Sequence, residues 1–160
     1  MYRILAALAL VAFLSEPAAA SDKTDVMAVV HQTLDAFNKG DIKSTAASCA
    51  DEASIIDDFP PHAWLGTGAC AKWASDFEAE VKTDEVTDVF LKLGRPRHLD
   101  ITGDRAYVVI PADLTYKMRG KPMKQNGSIW TLALQKGDSG WRITAWAWGA
   151  ARRVEVKGGP

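Results

Sequence analysis

From Gly127 to Gly149 the chain reads GSIWTLALQKGDSGWRITAWAWG, two strand-like runs joined by a tight turn at Lys136–Gly140. Side chains on a strand alternate between faces. The alternation sets Ser128, Trp130, Leu132 and Leu134 on one side of the first run, and Ile129, Thr131, Ala133 and Gln135 on the other. On the second run it sets Trp146 and Trp148 against Ile143, Ala145 and Ala147. Three indoles thus crowd one side of a hairpin that cannot stand alone in water. Other elements must cover them, and the rest of the chain is constrained by that need.

The N-terminus reads as a secretory leader. Arg3 precedes an apolar run, Ile4–Leu14, too short to span a bilayer, and Pro17-Ala18-Ala19-Ala20 has the small residues of a signal peptidase site. Residues 1–20 are therefore expected to be removed. Residues 21–153 then form one domain and residues 154–160 a flexible tail, the mature protein being periplasmic or secreted. The formal net charge is −1 and stays so once Arg3 and Glu16 leave with the leader. With no basic cluster, nucleic acid is not expected as a partner, nor a membrane after leader removal. The two cysteines, Cys49 and Cys70, travel to an oxidising compartment together. They fit a disulfide or a pair of buried thiols equally well. Neither has a histidine beside it in sequence, which counts against a thiolate nucleophile.

Apolar residues Val26, Val29, Val30, Leu34 and Phe37 recur at three- and four-residue steps and predict a helix over 24–39. Lys39-Gly40 stops it, and Asp41 is placed to cap a short second helix bearing Ile42, Thr45, Ala46 and Cys49 on one face. A short strand at Ala53–Asp57 runs into Asp58-Phe59-Pro60-Pro61, a loop that no helix can cross. A third helix follows Gly66, capped by Thr67, with Cys70, Trp73, Ala74, Phe77 and Val81 on its buried side. From Val86 the period becomes alternating. Val89–Ile101 reads as a long strand interrupted at Gly94-Arg95-Pro96, and Arg105–Met118 as another with a nearly unbroken apolar face. Three N-terminal helices packed on a mostly antiparallel, strongly curved sheet make an α+β fold.

Phe37-Asn38-Lys39-Gly40-Asp41, Cys49-Ala50-Asp51-Glu52-Ala53, Gly66, Gly103-Asp104-Arg105-Ala106-Tyr107-Val108 and Gly140-Trp141-Arg142-Ile143 occur in an order that resembles the nuclear transport factor 2-like superfamily, which includes SnoaL-like cyclases and ketosteroid isomerases. The resemblance implies a cone of helices and curved sheet around an apolar pocket, and dimerisation through the outer side of the sheet. In the ketosteroid isomerase pattern the general-base aspartate falls on Asp57. The oxyanion-holding tyrosine falls on Thr33, and the second acid on Trp130, whose indole N–H is a weaker donor.

The expected pocket lining is Thr33 and Phe37 from the first helix, and Phe59 and Trp64 from the loop after the first strand. Ile110, Ala112, Leu114 and Tyr116 come from the long central strand, Trp130, Trp146 and Trp148 from the hairpin. Asp57 is the candidate catalytic base, and as neighbours on a strand end only one of Asp57 and Asp58 is expected inside. His31, His62 and His98 are scattered, so neither metal nor cofactor is expected, although Asp57, Asp58 and His62 lie close in sequence. Three function classes remain. The first is a binder of a small hydrophobic molecule, and the second a lyase, isomerase or cyclase using Asp57. The third is a dimeric interaction module with a filled core, paired through Tyr107, Val109, Ile129, Ile143 and Ala145.

Overall fold

The computed structural model describes residues 16–156, so most of the leader read in the sequence lies outside the described residues. Helix α1 covers Glu16–Asn38, starting well before residue 24, and α2 covers Ile42–Ala47. Asp41 caps α2 as its position suggested, accepting from the Ser44 backbone N–H at 3.0 Å. Strand β1 spans Cys49–Ile56 and β2 spans Ala63–Thr67, followed by α3 at Ala69–Thr83. The strands β3 (Val86–Leu93), β4 (His98–Thr102), β5 (Arg105–Met118), β6 (Lys121–Gly137), β7 (Gly140–Gly149) and β8 (Val154–Glu155) complete the chain.

Among the described residues these strands form one eight-stranded sheet in the order β2-β1-β7-β6-β5-β3, with β4 also on β5 and β8 on β6. Every pair is antiparallel except β1 with β7, so the sheet is mixed. The long strand expected at Val89–Ile101 is two strands, both lying along the same edge of β5. Gly94 joins them where a Cβ would come within 2.9 Å of the Pro111 ring, and its N–H bonds to Pro111 O at 2.8 Å.

Four sequence expectations are corrected. Strand β2 replaces the loop and helix entry that the sequence predicts there. It is short and holds a glycine at positive φ, Gly66, which hides its alternation. Thr67 is the last residue of β2, not a cap; α3 starts from Gly68 at φ 74° without a side-chain cap. Val154 and Glu155, assigned to a flexible tail, pair with Lys124 and Met123. Finally, Ile143 faces the core with no exposed surface. The register of β6 against β7 slips between Leu134↔Ile143 and Ala133↔Ala145, so Thr144 is an extra residue. That bulge brings Trp141, Ile143, Trp146 and Trp148 to one side, where strict alternation had divided them.

The helices pack on the inner face in two clusters. Val26 and Val30 of α1 meet Val108, Ile110, Leu132, Leu134 and Ile143 of the long strands. Ile42 of α2 joins Ile55, Trp64, Cys70 and Trp73 around β1 and α3. Cys49 and Trp146 pack against both clusters, and a cavity lies where the two meet. Asn38, at the end of α1, holds that helix to the sheet edge. Its side chain donates to Leu91 O and accepts from Leu91 N–H, each at 2.8 Å.

Candidate functional site

Strand β1 ends at Ile56, and the chain turns at once through Asp57 and Asp58 into the Pro60–Pro61 loop, whose peptide is cis. The loop closes on itself, Asp57 N–H donating to His62 O at 3.1 Å and His62 N–H to Phe59 O at 2.9 Å. This turn drives Phe59 into the interior. Cys49 on β1 and Cys70 in the first turn of α3 form a disulfide, which fixes α3 beside β1. The next turns of α3 then present Trp73 and Phe77 on the same face.

Trp73 donates its indole N–H to Asp57 Oδ2 at 2.8 Å, and the Asp58 backbone N–H donates to Oδ1 at 2.7 Å. Burial pushes the Asp57 carboxyl up to about 7. The Trp73 and Asp58 N–H bonds pull the other way, and the negative charge of Asp58 adds to the rise. Desolvation wins because those donors replace only part of the hydration a carboxylate loses. Asp58 itself accepts from Arg153 at 2.9 Å and from Gln125 at 3.5 Å.

A chain of rings surrounds this carboxylate. Trp130 meets Trp146 edge-on at 6.2 Å, Trp146 meets Trp73 edge-on at 5.0 Å, and Trp73 stacks on Phe77 at 5.3 Å. Phe37 and Phe59 extend it from Phe77 at 5.5 and 6.0 Å. Edge-to-face contacts of this kind hold rings apart at fixed angles without filling the space between them. The partly open cavity they border is ≈ 100 Å³, room for several waters or one small organic group.

Of the residues expected to line a pocket, Thr33, Phe37, Phe59 and Leu114 border this cavity, as do Trp130, Trp146, Trp148 and Asp57. Four do not. Trp64 is buried behind Phe59, with its N–H donated to Asp76 at 2.8 Å. Ile110 and Ala112 are fully packed core of β5. Tyr116 borders a neighbouring cavity instead. Sequence reasoning missed Asp58, Trp73, Leu91 and the disulfide as wall components. Trp73 and Phe77 were legible as the buried stripe of a helix, but nothing in that period tells a filled interior from a hollow one. Both aspartates border the cavity because strand alternation ends before them, at Ile56. Thr33 offers no oxyanion donor, since its hydroxyl donates to Val29 O at 2.8 Å within its own helix. The Trp130 indole N–H, by contrast, makes no hydrogen bond among the described residues and remains a spare donor. His62 lies exposed with Nδ1 3.2 Å from the Asp57 carbonyl, and no group of three or more His, Cys, Asp or Glu is arranged to hold a metal among the described residues.

Three N-terminal helices on a curved mixed sheet, with an aromatic cluster where its two cores meet, define an α+β protein of the nuclear transport factor 2-like fold. The chain belongs to the SnoaL-like domain family, whose model matches residues 26–148. The fold is shared with hexachlorocyclohexane dehydrochlorinase LinA-type3 from Novosphingobium barchaimii LL02, at TM-score 0.76 and 11% identity over 90% of this chain and 96% of that one. A ketosteroid isomerase-like protein from Erwinia carotovora atroseptica SCRI1043 aligns at TM-score 0.62 and 18% identity, over 81% and 95% of the two chains. An ntf2-like protein with a cystatin-like fold from Novosphingobium aromaticivorans aligns at TM-score 0.67 and 14% identity, over 84% and 88%. At such identities the likeness is one of fold alone. No curated protein matches the chain in sequence.

Proposed function

We propose that the chain binds a small, ring-containing hydrophobic molecule between the indoles of Trp73, Trp130 and Trp146. What supports this is the composition of the wall: flat apolar rings on most sides and one half-buried carboxylate, Asp57, with Asp58 beside it. Such a wall suits a planar apolar body that carries a single polar point of contact. Titration with apolar ring compounds should quench tryptophan fluorescence. A broad panel that leaves the emission unchanged would remove the proposal.

A second reading, a lyase or isomerase, is favoured by the state of Asp57. A carboxyl raised to about 7 is poised at neutral pH to take a proton from carbon beside an electron-withdrawing group. The carbanion so formed either receives the proton at another carbon or expels a leaving group, and the protonated Asp57 is the acid that completes the first course. Neighbours named for dehydrochlorination and ketosteroid isomerisation share the fold. Here the oxyanion-side donor would be the Trp130 N–H, since Thr33 is engaged. Any turnover found should rise with pH through about 7 and vanish in Asp57→Asn; turnover that survives in that variant excludes Asp57 as the base.

Export to an oxidising compartment is part of the proposal, supported by the Cys49–Cys70 bridge. So is pairing of two copies through the outer sheet face. There Tyr107 is 47% exposed, and Val109, Ile129 and Ala145 are half-buried.

A further inference from the structure

Next to the cavity that Asp57 borders lies a second one of ≈ 90 Å³. The two have Phe37, Asp58, Phe59, Phe77 and Leu114 in common, so these side chains border both. Beyond the three phenylalanines tryptophan gives way to aliphatic side chains, Val81, Val86, Val89 and Met118, with Tyr116, Gln125 and Arg153 as polar members of the wall. Tyr116 is 7% exposed, and its hydroxyl makes no hydrogen bond to any described residue. The ring is buried while the hydroxyl at its tip stays accessible, so it is free to pair with a polar group that enters the cavity Tyr116 borders. Gln125, 2% exposed, holds only a long contact of 3.5 Å with Asp58.

Charge narrows what could fill that space. Asp58, Glu80 and Asp84 face it against the single guanidinium of Arg153. Arg153 is already bound to Asp58 at 2.9 Å, and Asp84 takes Arg119 at 3.2 Å. The carboxylates outnumber the cations, so an anionic group entering here meets net repulsion. An uncharged hydroxyl meets none and can pair with Tyr116 as donor or acceptor.

We propose that the second cavity is the polar subsite of the first. The ligand is an uncharged amphipathic molecule with its ring among the tryptophans and a hydroxyl reaching past Phe37, Phe59 and Phe77 to Tyr116. The subsite rests on ring binding in the inner cavity, and its test separates the two. Biphenyl, 4-phenylphenol and biphenyl-4-carboxylate present one ring body with no head, a neutral head and an anionic head. Tryptophan quenching at pH 7 should rank 4-phenylphenol about tenfold tighter than biphenyl, the gain of one hydrogen bond, and the carboxylate weakest of the three. In Tyr116→Phe the ratio of phenol to biphenyl affinity should fall to about one. In Asp58→Asn, which releases Arg153, the carboxylate should gain on biphenyl. Equal binding of biphenyl and the phenol, a preference that persists in Tyr116→Phe, or a carboxylate that binds tightest overturns the subsite and leaves ring binding standing. Quenching by none of the three overturns both.

Discussion

At the scale of single residues the decisive group is Asp57. Its carboxyl has an ordinary value of 3.8 in the unfolded chain and about 7 in the folded one. Between those values the native chain holds a proton that the unfolded chain has released. Stability is therefore greatest below the lower value and falls as pH rises through the window. Melting temperature should decline from pH 4 to pH 7 in the parent, and Asp57→Asn should lack that part of the decline; parallel curves would mean that Asp57 is not protonated when folded. Trp73 donates to the charged form, so Trp73→Phe should move the midpoint of the Asp57 titration upward, read from the pH dependence of melting or of any turnover found. An unmoved midpoint would deny the indole its role. Asp57 was legible in the sequence because a carboxylate at a strand end before Pro-Pro has few places to go. Its partner was not, being 16 residues away across a disulfide-tethered helix. Ile143 was misread because a bulge leaves no mark in composition: Thr144 suits an outward strand position as well as an extra one.

Among the elements, the attachments of α1 and α3 to the sheet govern the cavity's shape. Asn38 satisfies both backbone groups of Leu91, and both Leu91 and Phe37, the residue before Asn38, border the cavity. Asn38→Ala strands a donor and an acceptor at a half-buried site, so urea titration should show a loss of about 2 kcal/mol. A loss under about 0.5 kcal/mol would mean that water replaces the amide. The Cys49–Cys70 bridge spans a sequence separation of 21. Its removal as the Cys49→Ala, Cys70→Ala double variant should lower stability by about 3 kcal/mol on loop-entropy grounds. That variant should also loosen Trp73 from Asp57, seen as a red shift of tryptophan emission; unchanged emission would show that packing alone seats α3. Strand β5 was legible to its end residues, since seven apolar side chains alternate without a break from Ala106 to Met118. β2 was not, since five residues with one glycine carry too little period.

On the scale of the whole molecule, the order of weak motifs was enough to give the architecture, because each marks a junction between elements and the junctions fix which faces meet. The cavities were not legible, since their volume is what remains after side chains from the three helices and five strands have packed. Two predictions belong to this scale. The N-terminal residue of the exported protein should be Ser21, checked by intact mass; a mass that retains the leader would remove export by cleavage. Sedimentation should give a dimer that Tyr107→Glu splits, and a monomeric parent would remove pairing through the outer face. The one parallel pair of the sheet sets Ile55 beside Trp146, joining the start of the domain to nearly its end. Asp57 and its partner Trp73 therefore lie early in the chain, and the cavity gains the Trp146 and Trp148 part of its wall only when β7 docks beside β1.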